Sequence, residues 1–62
     1  MNELTYKQML DFKEPTPVWV SGIDEYGLAR GCEVMFFDHA SLFVSQILRN
    51  GGKIYKAKVA RK

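Results

Sequence analysis

Three side chains near the middle of the chain, Cys32, Asp38 and His39, are of the types that build an activated thiolate nucleophile. In such a site the imidazole takes the thiol proton and the carboxylate orients the imidazole, so all three groups must converge. Asp38 and His39 are adjacent at a predicted helix start, whereas Cys32 falls within a predicted strand. We therefore interpret Cys32 as a buried structural cysteine, and we predict a protein that is not an enzyme and has no catalytic residue.

Two further groups of residues are assigned to turns rather than to ligand sites. Asp24 and Glu25 are adjacent, which rarely lets two carboxylates meet at one metal ion, and with Gly27 at a positive φ they predict a turn. Residues 51–53, Gly-Gly-Lys, are similar to a phosphate-binding loop but follow a predicted helix, so they predict its end. One cysteine and one histidine cannot supply the four ligands of structural zinc. We predict no metal and no cofactor.

Charge is distributed unevenly along the chain, because all seven acidic residues lie at or before Asp38. Residues 1–38 carry three basic side chains against those seven acids, a net charge of −4. Residues 39–62 carry six basic side chains and no acid, a net charge of +6. The total of +2 does not by itself indicate a nucleic-acid binder. The opposite charges of the two parts favour contact between copies, so a homodimer is one predicted assembly.

The length of the chain, 62 residues, predicts a single domain over residues 1–62 with a small core. The apolar share of 47% is typical of a folded protein rather than a disordered one. No run approaches the roughly 20 apolar residues of a membrane helix. The first residues also lack the basic and apolar regions of a secretion signal. We expect a cytoplasmic protein that makes no membrane contact.

A short helix is predicted near the N-terminus. Thr5 and Gln8 have the spacing of a capping box, in which each side chain satisfies the backbone amide of the other residue. Leu4 before the cap and Met9 within the helix have the positions of a hydrophobic staple. Pro15 disfavours helical geometry in the residue before it, so the helix is predicted to end near Lys13.

Three strands and a second helix are predicted in the remainder of the chain. The strands cover residues 18–20, 28–37 and 53–61, where β-branched and aromatic residues recur. The second helix is predicted to start at Asp38 as N-cap and to run through residues 40–48, whose apolar residues repeat at helical spacing. Asn50 and the two glycines after it predict the helix end.

These elements predict an α+β fold in the order α-β-β-α-β, with a three-stranded, mostly antiparallel sheet and two helices. The third strand is placed beside the first, in the sheet order 2-1-3, with 1-2-3 as the other option. The alternative architecture is a small SH3-like β-barrel with an N-terminal helix, in which residues 40–48 form strands instead of a helix.

One sheet face is a candidate binding surface. Alternation in the last strand predicts that Tyr55, Ala57 and Val59 face the core and that the lysines lie on the opposite side. Aromatic residues of the other strands are predicted to share that basic side. The candidate contacts are Trp19, Phe37, Ile54, Lys56, Lys58 and Lys62.

A face that combines rings and cations is typical of single-stranded nucleic-acid binders. Segregated charge and a cluster of aromatic anchors favour a protein partner instead. We therefore predict a small non-enzymatic regulatory or inhibitory protein that binds a protein partner. Single-stranded or structured nucleic acid, bound through the same face, is the alternative. In size and in its lack of catalytic motifs the chain resembles the small accessory proteins of phages and mobile elements, although no particular residue carries that resemblance.

Overall fold

A computed structural model describes residues 3–38 and 40–58. The chain is a small α+β protein with a five-stranded antiparallel sheet and two short helices. The elements are α1 (Tyr6–Leu10), β1 (Thr16–Ser21), β2 (Glu25–Arg30), β3 (Glu33–Phe36), β4 (Leu42–Phe43), α2 (Val44–Arg49) and β5 (Lys53–Lys56). The strand order is β4-β3-β2-β1-β5. Neither helix in these ranges is long and apolar enough to cross a membrane.

The first helix begins as its capping residues predict. The Gln8 amide donates to the Thr5 hydroxyl at 3.1 Å, and the Thr5 amide donates to the Gln8 side-chain oxygen at 2.8 Å. Leu4 and Met9 are both buried in the core, as the staple requires. The capping box therefore fixes where the helix starts, and the two apolar side chains fix it to the sheet.

The predicted three-stranded sheet is wrong, because residues 28–37 form a hairpin rather than one strand. Arg30 lies opposite Glu33, which leaves Gly31 and Cys32 as a two-residue turn. Gly31 has a φ of 61°, and such a tight hairpin turn needs a positive φ of the kind that glycine adopts easily. The prediction of one strand over residues 28–37 places Gly31 within that strand and so misses the reversal of the chain.

The second helix is shorter than predicted and starts later. Residues 42–43 pair with β3, and the amide of Val44 donates to the carbonyl of Cys32 at 2.8 Å. The helix therefore begins at Val44, and Asp38 is not its cap. Its predicted end is confirmed: Gly51 has a φ of 84° and its amide donates to Leu48, while the Gly52 amide donates to Ile47, the two bonds of a Schellman motif.

The turn between β1 and β2 starts two residues and ends three residues earlier than predicted. Residues 22–24 form the turn, with Gly22 at φ 95° and Asp24 at φ 58°. Gly27 was predicted to adopt a positive φ in that turn, but it lies within β2, between Val18 and Phe36. The left-handed conformation therefore falls on Gly22 and Asp24.

The last strand pairs with the first in antiparallel orientation, as predicted. The first strand accordingly lies between the β2–β3 hairpin and β5. The sheet is not a closed barrel, and residues 44–49 are helical, so the SH3-like alternative is also wrong. That alternative requires strands over residues 40–48, and only residues 42–43 of this segment form one.

Both helices cover the same face of the sheet, here called the inner face. Its buried residues are Val18, Val20, Gly27, Ala29, Val34, Phe36 and Ile54. Met9 of α1 and the α2 residues Val44 and Ile47 join these side chains in one buried cluster. Successive residues of a strand point to opposite faces, so the residues between the buried ones form a second face, which neither helix covers.

Candidate functional site

The uncovered side of the sheet, here called the outer face, is the candidate site. Directly opposite residues of neighbouring antiparallel strands share a face, so the register assembles it in two rows. One row is aromatic, the other largely aliphatic. The members of the outer face are Tyr55, Trp19 and Tyr26 in the first row, and Pro17, Leu28 and Met35 in the second.

The aromatic row is tightly packed at its centre. The ring centroids of Trp19 and Tyr26 are 4.7 Å apart, with their planes at 62°, an edge-to-face contact. Such pairs add stabilisation beyond the burial of their area. Phe37 follows β3 directly and would continue the row beyond Tyr26; its side chain is 52% exposed. Trp19, Tyr26 and Tyr55 are half-buried, so each ring keeps only part of its surface accessible, and that rigid surface suits the row to recognition.

The sheet edges are less accessible than the outer face. On the β5 edge, Glu3 bridges to Tyr55 and the Leu4 amide donates to the Ile54 carbonyl at 2.7 Å. On the β4 edge, the Phe43 amide donates to the Gln46 side-chain oxygen at 3.4 Å. Both edges thus have backbone groups already engaged, which lowers their capacity to add a strand from another chain.

Charged residues of both signs border the outer face. Arg30 and Glu33 lie opposite each other at one end, next to the aliphatic row, and both are exposed. At the other end Lys53 lies opposite Ser21, and Glu3 lies beside Tyr55. The border therefore contains two cations and two anions rather than a cationic surface.

The predicted orientation of the last strand is wrong. Ile54 is fully buried opposite Val20, and Tyr55 lies on the outer face opposite Trp19. The pairing of β5 with β1 sets this orientation, because Val20 points into the core and its partner must do the same. Tyr55 therefore supplies a ring to the outer face instead of the core.

The candidate residues consequently separate into three groups. Trp19 lies on the outer face and Phe37 beside it, whereas both were predicted to share a face with Ile54 and Lys56. Ile54 is in the core, and Lys56 lies opposite Val18 on the inner side of the sheet, although it is exposed. Lys58 is exposed beyond the end of β5. Lys62, like Val59, lies outside the described residues.

The groups considered for catalysis do not form a site in the described part of the chain. Cys32 is exposed in the β2–β3 turn, so its interpretation as a buried cysteine is wrong. Asp38 lies beyond the opposite end of β3, and a strand of this length separates the two by on the order of 15 Å. His39 lies outside the described residues. Among residues 3–38 and 40–58, no three His, Cys, Asp or Glu side chains gather into a possible metal site.

A cleft of about 190 Å³ lies between the β1–β2 turn and α2. Ile23, Leu42 and Ile47 form its apolar wall, and Gln46 and Asn50 supply side-chain amides. Sites for small organic ligands are usually about 300–1,000 Å³, so this cleft is small for one. The outer face is therefore the stronger candidate site.

Comparison with protein-family models, curated proteins and solved structures finds no match to this chain. The functional argument therefore rests on the geometry of the outer face.

Five of the six residues of that face were not among the predicted contacts: Pro17, Tyr26, Leu28, Met35 and Tyr55. The signal that identifies them is the alternation around the two valines of β1, Val18 and Val20, which are both buried. Once those valines are assigned to the core, the antiparallel register places the residues opposite Trp19 on the other face. The register itself, however, depends on pairing between distant segments.

Proposed function

We propose that this chain is a small non-enzymatic regulatory or inhibitory protein that binds a protein partner through its outer face. The observation that carries the proposal is an aromatic row, Tyr55-Trp19-Tyr26, on a sheet face that neither helix covers. Binding energy in protein interfaces is concentrated in a few aromatic and arginine anchors, and tryptophan and tyrosine are the most frequent of them. Arg30 at the border adds a fourth residue of that kind.

Single-stranded nucleic acid is the second candidate, favoured by the ring row alone. Bases stack on such rings, but their phosphates also need cations close by. Lys53 and Arg30 border the outer face together with Glu3 and Glu33, and Lys56 is on the other side of the sheet. A border of both signs attracts a polyanion weakly, because the acids repel the phosphates that the cations attract. The protein partner is therefore the better supported of the two.

Selection of ligands from a displayed library of short random peptides tests this proposal. Trp19 is the only tryptophan and lies at the centre of the outer face, so its emission reports occupancy directly. We expect selected peptides to shift that emission to shorter wavelength as the ring loses water. Leu28→Lys, which puts a charge beside the ring, should lower their affinity about tenfold or more, since an unpaired charge would be desolvated.

The matched control is Leu10→Lys, at a leucine of α1 that is 45% exposed and remote from the outer face. Its affinity for the peptides should equal that of the unchanged chain. Peptides that bind Leu28→Lys as well as the unchanged chain would contradict the proposal. A generic single-stranded oligonucleotide serves as the second probe: tight, steeply salt-dependent binding that is weakened by Lys53→Ala would favour the nucleic-acid candidate.

A further inference from the structure

We propose that the outer face docks a second copy of this chain. The two copies are related by a two-fold axis that is parallel to the strands and lies over the boundary between β2 and β3. This proposal rests on the proposed function, because it names a protein that occupies the same surface. Any other partner must then displace the second copy before it binds.

The first argument is the self-complementarity of the β2–β3 hairpin. A two-fold interface brings the same patch of both copies together, so that patch must be complementary to itself. An axis between two paired strands places each residue over the other copy's residue from the opposite strand. Leu28 and Met35 are opposite each other in the register, so Leu28 of each copy lies over Met35 of the other.

The second argument is the charge at the end of the same hairpin. Arg30 and Glu33 are also opposite each other, and both are exposed. The same axis therefore brings Arg30 of each copy over Glu33 of the other, which gives two ion pairs from one symmetry operation. With the axis elsewhere in the sheet, for example between β1 and β2, these two residues do not meet in this way. Charge complementarity thus selects both the occupant and the position of the axis.

The third argument is the size of the core. The described part of the chain buries ten hydrophobic residues on the inner side and leaves the apolar residues of the outer face only half-buried. A second sheet packed face to face, at a distance of about 10 Å, would convert this face into a second core. The strand spacing and rise give the patch a few hundred Å² per copy, below the roughly 800 Å² of a stable interface. The dimer should therefore be weak and should form only at high protein concentration.

Cys32 provides the test, because it is the only cysteine and is exposed in the β2–β3 turn. The axis lies midway between the two sheets and runs over the β2–β3 turn of each copy, so the two Cys32 residues should lie about one sheet spacing, roughly 10 Å, apart. A bismaleimide of about that span should link the copies, with a yield that rises as the protein concentration passes through the Kd. Cys32→Ser combined with Ser45→Cys, on the exposed side of α2, is the control and should give only collisional background.

Charge reversal then tests the register of the dimer. Arg30→Glu and Glu33→Arg alone should each reduce the yield of linked dimer severalfold, because like charges then face each other across the interface. The double variant restores opposite charges and should restore most of the yield. Thermal unfolding of each variant at low concentration checks that the monomer fold is kept. A yield no greater than in the Ser45→Cys control, or single reversals without effect, would overturn the proposed dimer.

The outcomes also separate this proposal from the proposed function. A chain that is monomeric at millimolar concentration but still binds selected peptides at Trp19 would refute the dimer and leave the protein-binding face intact. A dimer that links through Cys32 and is unaffected by Leu28→Lys would refute the outer face as the dimer interface, and the protein-binding proposal would still be decided by the peptide selection.

Discussion

Met9→Ala should unfold a large part of the protein at room temperature. The Met9 side chain is fully buried and joins α1 to the cluster of inner-face residues. Removing a buried methionine side chain costs about 2–5 kcal/mol, from lost burial and from the cavity it leaves. A domain of this size has a total stability of only about 3–5 kcal/mol. Urea unfolding followed by Trp19 emission should therefore show a midpoint near zero denaturant.

Leu10→Ala is the matched control for this prediction. Leu10 is the next residue of the same helix, and its side chain is 45% exposed. Its replacement should change the free energy of unfolding by no more than about 0.5 kcal/mol, as for most surface positions. Equal destabilisation by both variants would mean that α1 is not docked through Met9.

Gly27→Ala should also destabilise the chain, although it adds only one methyl group. A Cβ atom at this position would lie 2.7 Å from the Met35 carbonyl oxygen and 2.9 Å from Cγ1 of Val34. Glycine within a strand marks such close approaches. Separating β2 from β3 to relieve the contact should cost about 1–3 kcal/mol. Because Leu28 and Met35 lie on these strands, the variant should also weaken binding at the outer face.

Gly51→Asn is the control for Gly27→Ala. A Cβ atom at Gly51 would meet nothing within 4 Å, and asparagine is the second choice for the left-handed position after a helix. Urea titrations of the two variants should differ clearly, with Gly51→Asn close to the unchanged chain. A tolerated Gly27→Ala would contradict the close packing of β2 against β3.

Features governed by neighbouring residues could be predicted from the sequence. The capping box of Thr5 and Gln8, the burial of Met9 and the helix end at Gly51 each depend on residues within one turn of chain. Pairing of the last strand with the first was also predicted, because the order 2-1-3 needs no parallel ladder, with 1-2-3 as the other option. For the cap, the staple and the helix end, a local chemical rule allowed one structure.

The features that could not be predicted depend on contacts between distant segments. Gly31 within a run of strand-forming residues fits a bulge or a turn equally well, and only the pairing of Arg30 with Glu33 distinguishes them. The orientation of β5 is similar: Ile54 and Tyr55 are both apolar enough for a core, and pairing with Val20 decides between them. A shift of one residue exchanges the two faces of a strand, which is why the predicted basic face became an aromatic one.

Hydroxyl-radical footprinting at low and high protein concentration tests most directly whether the outer face is the docking surface. Trp19 and Met35 lie on that face, and both side-chain types oxidise readily. Tyr6, on α1, is 42% exposed and provides the internal reference. We predict that oxidation of Trp19 and Met35 slows several-fold at high concentration while that of Tyr6 is unchanged. Protection of Tyr6 with unchanged oxidation of Trp19 and Met35 would contradict the account.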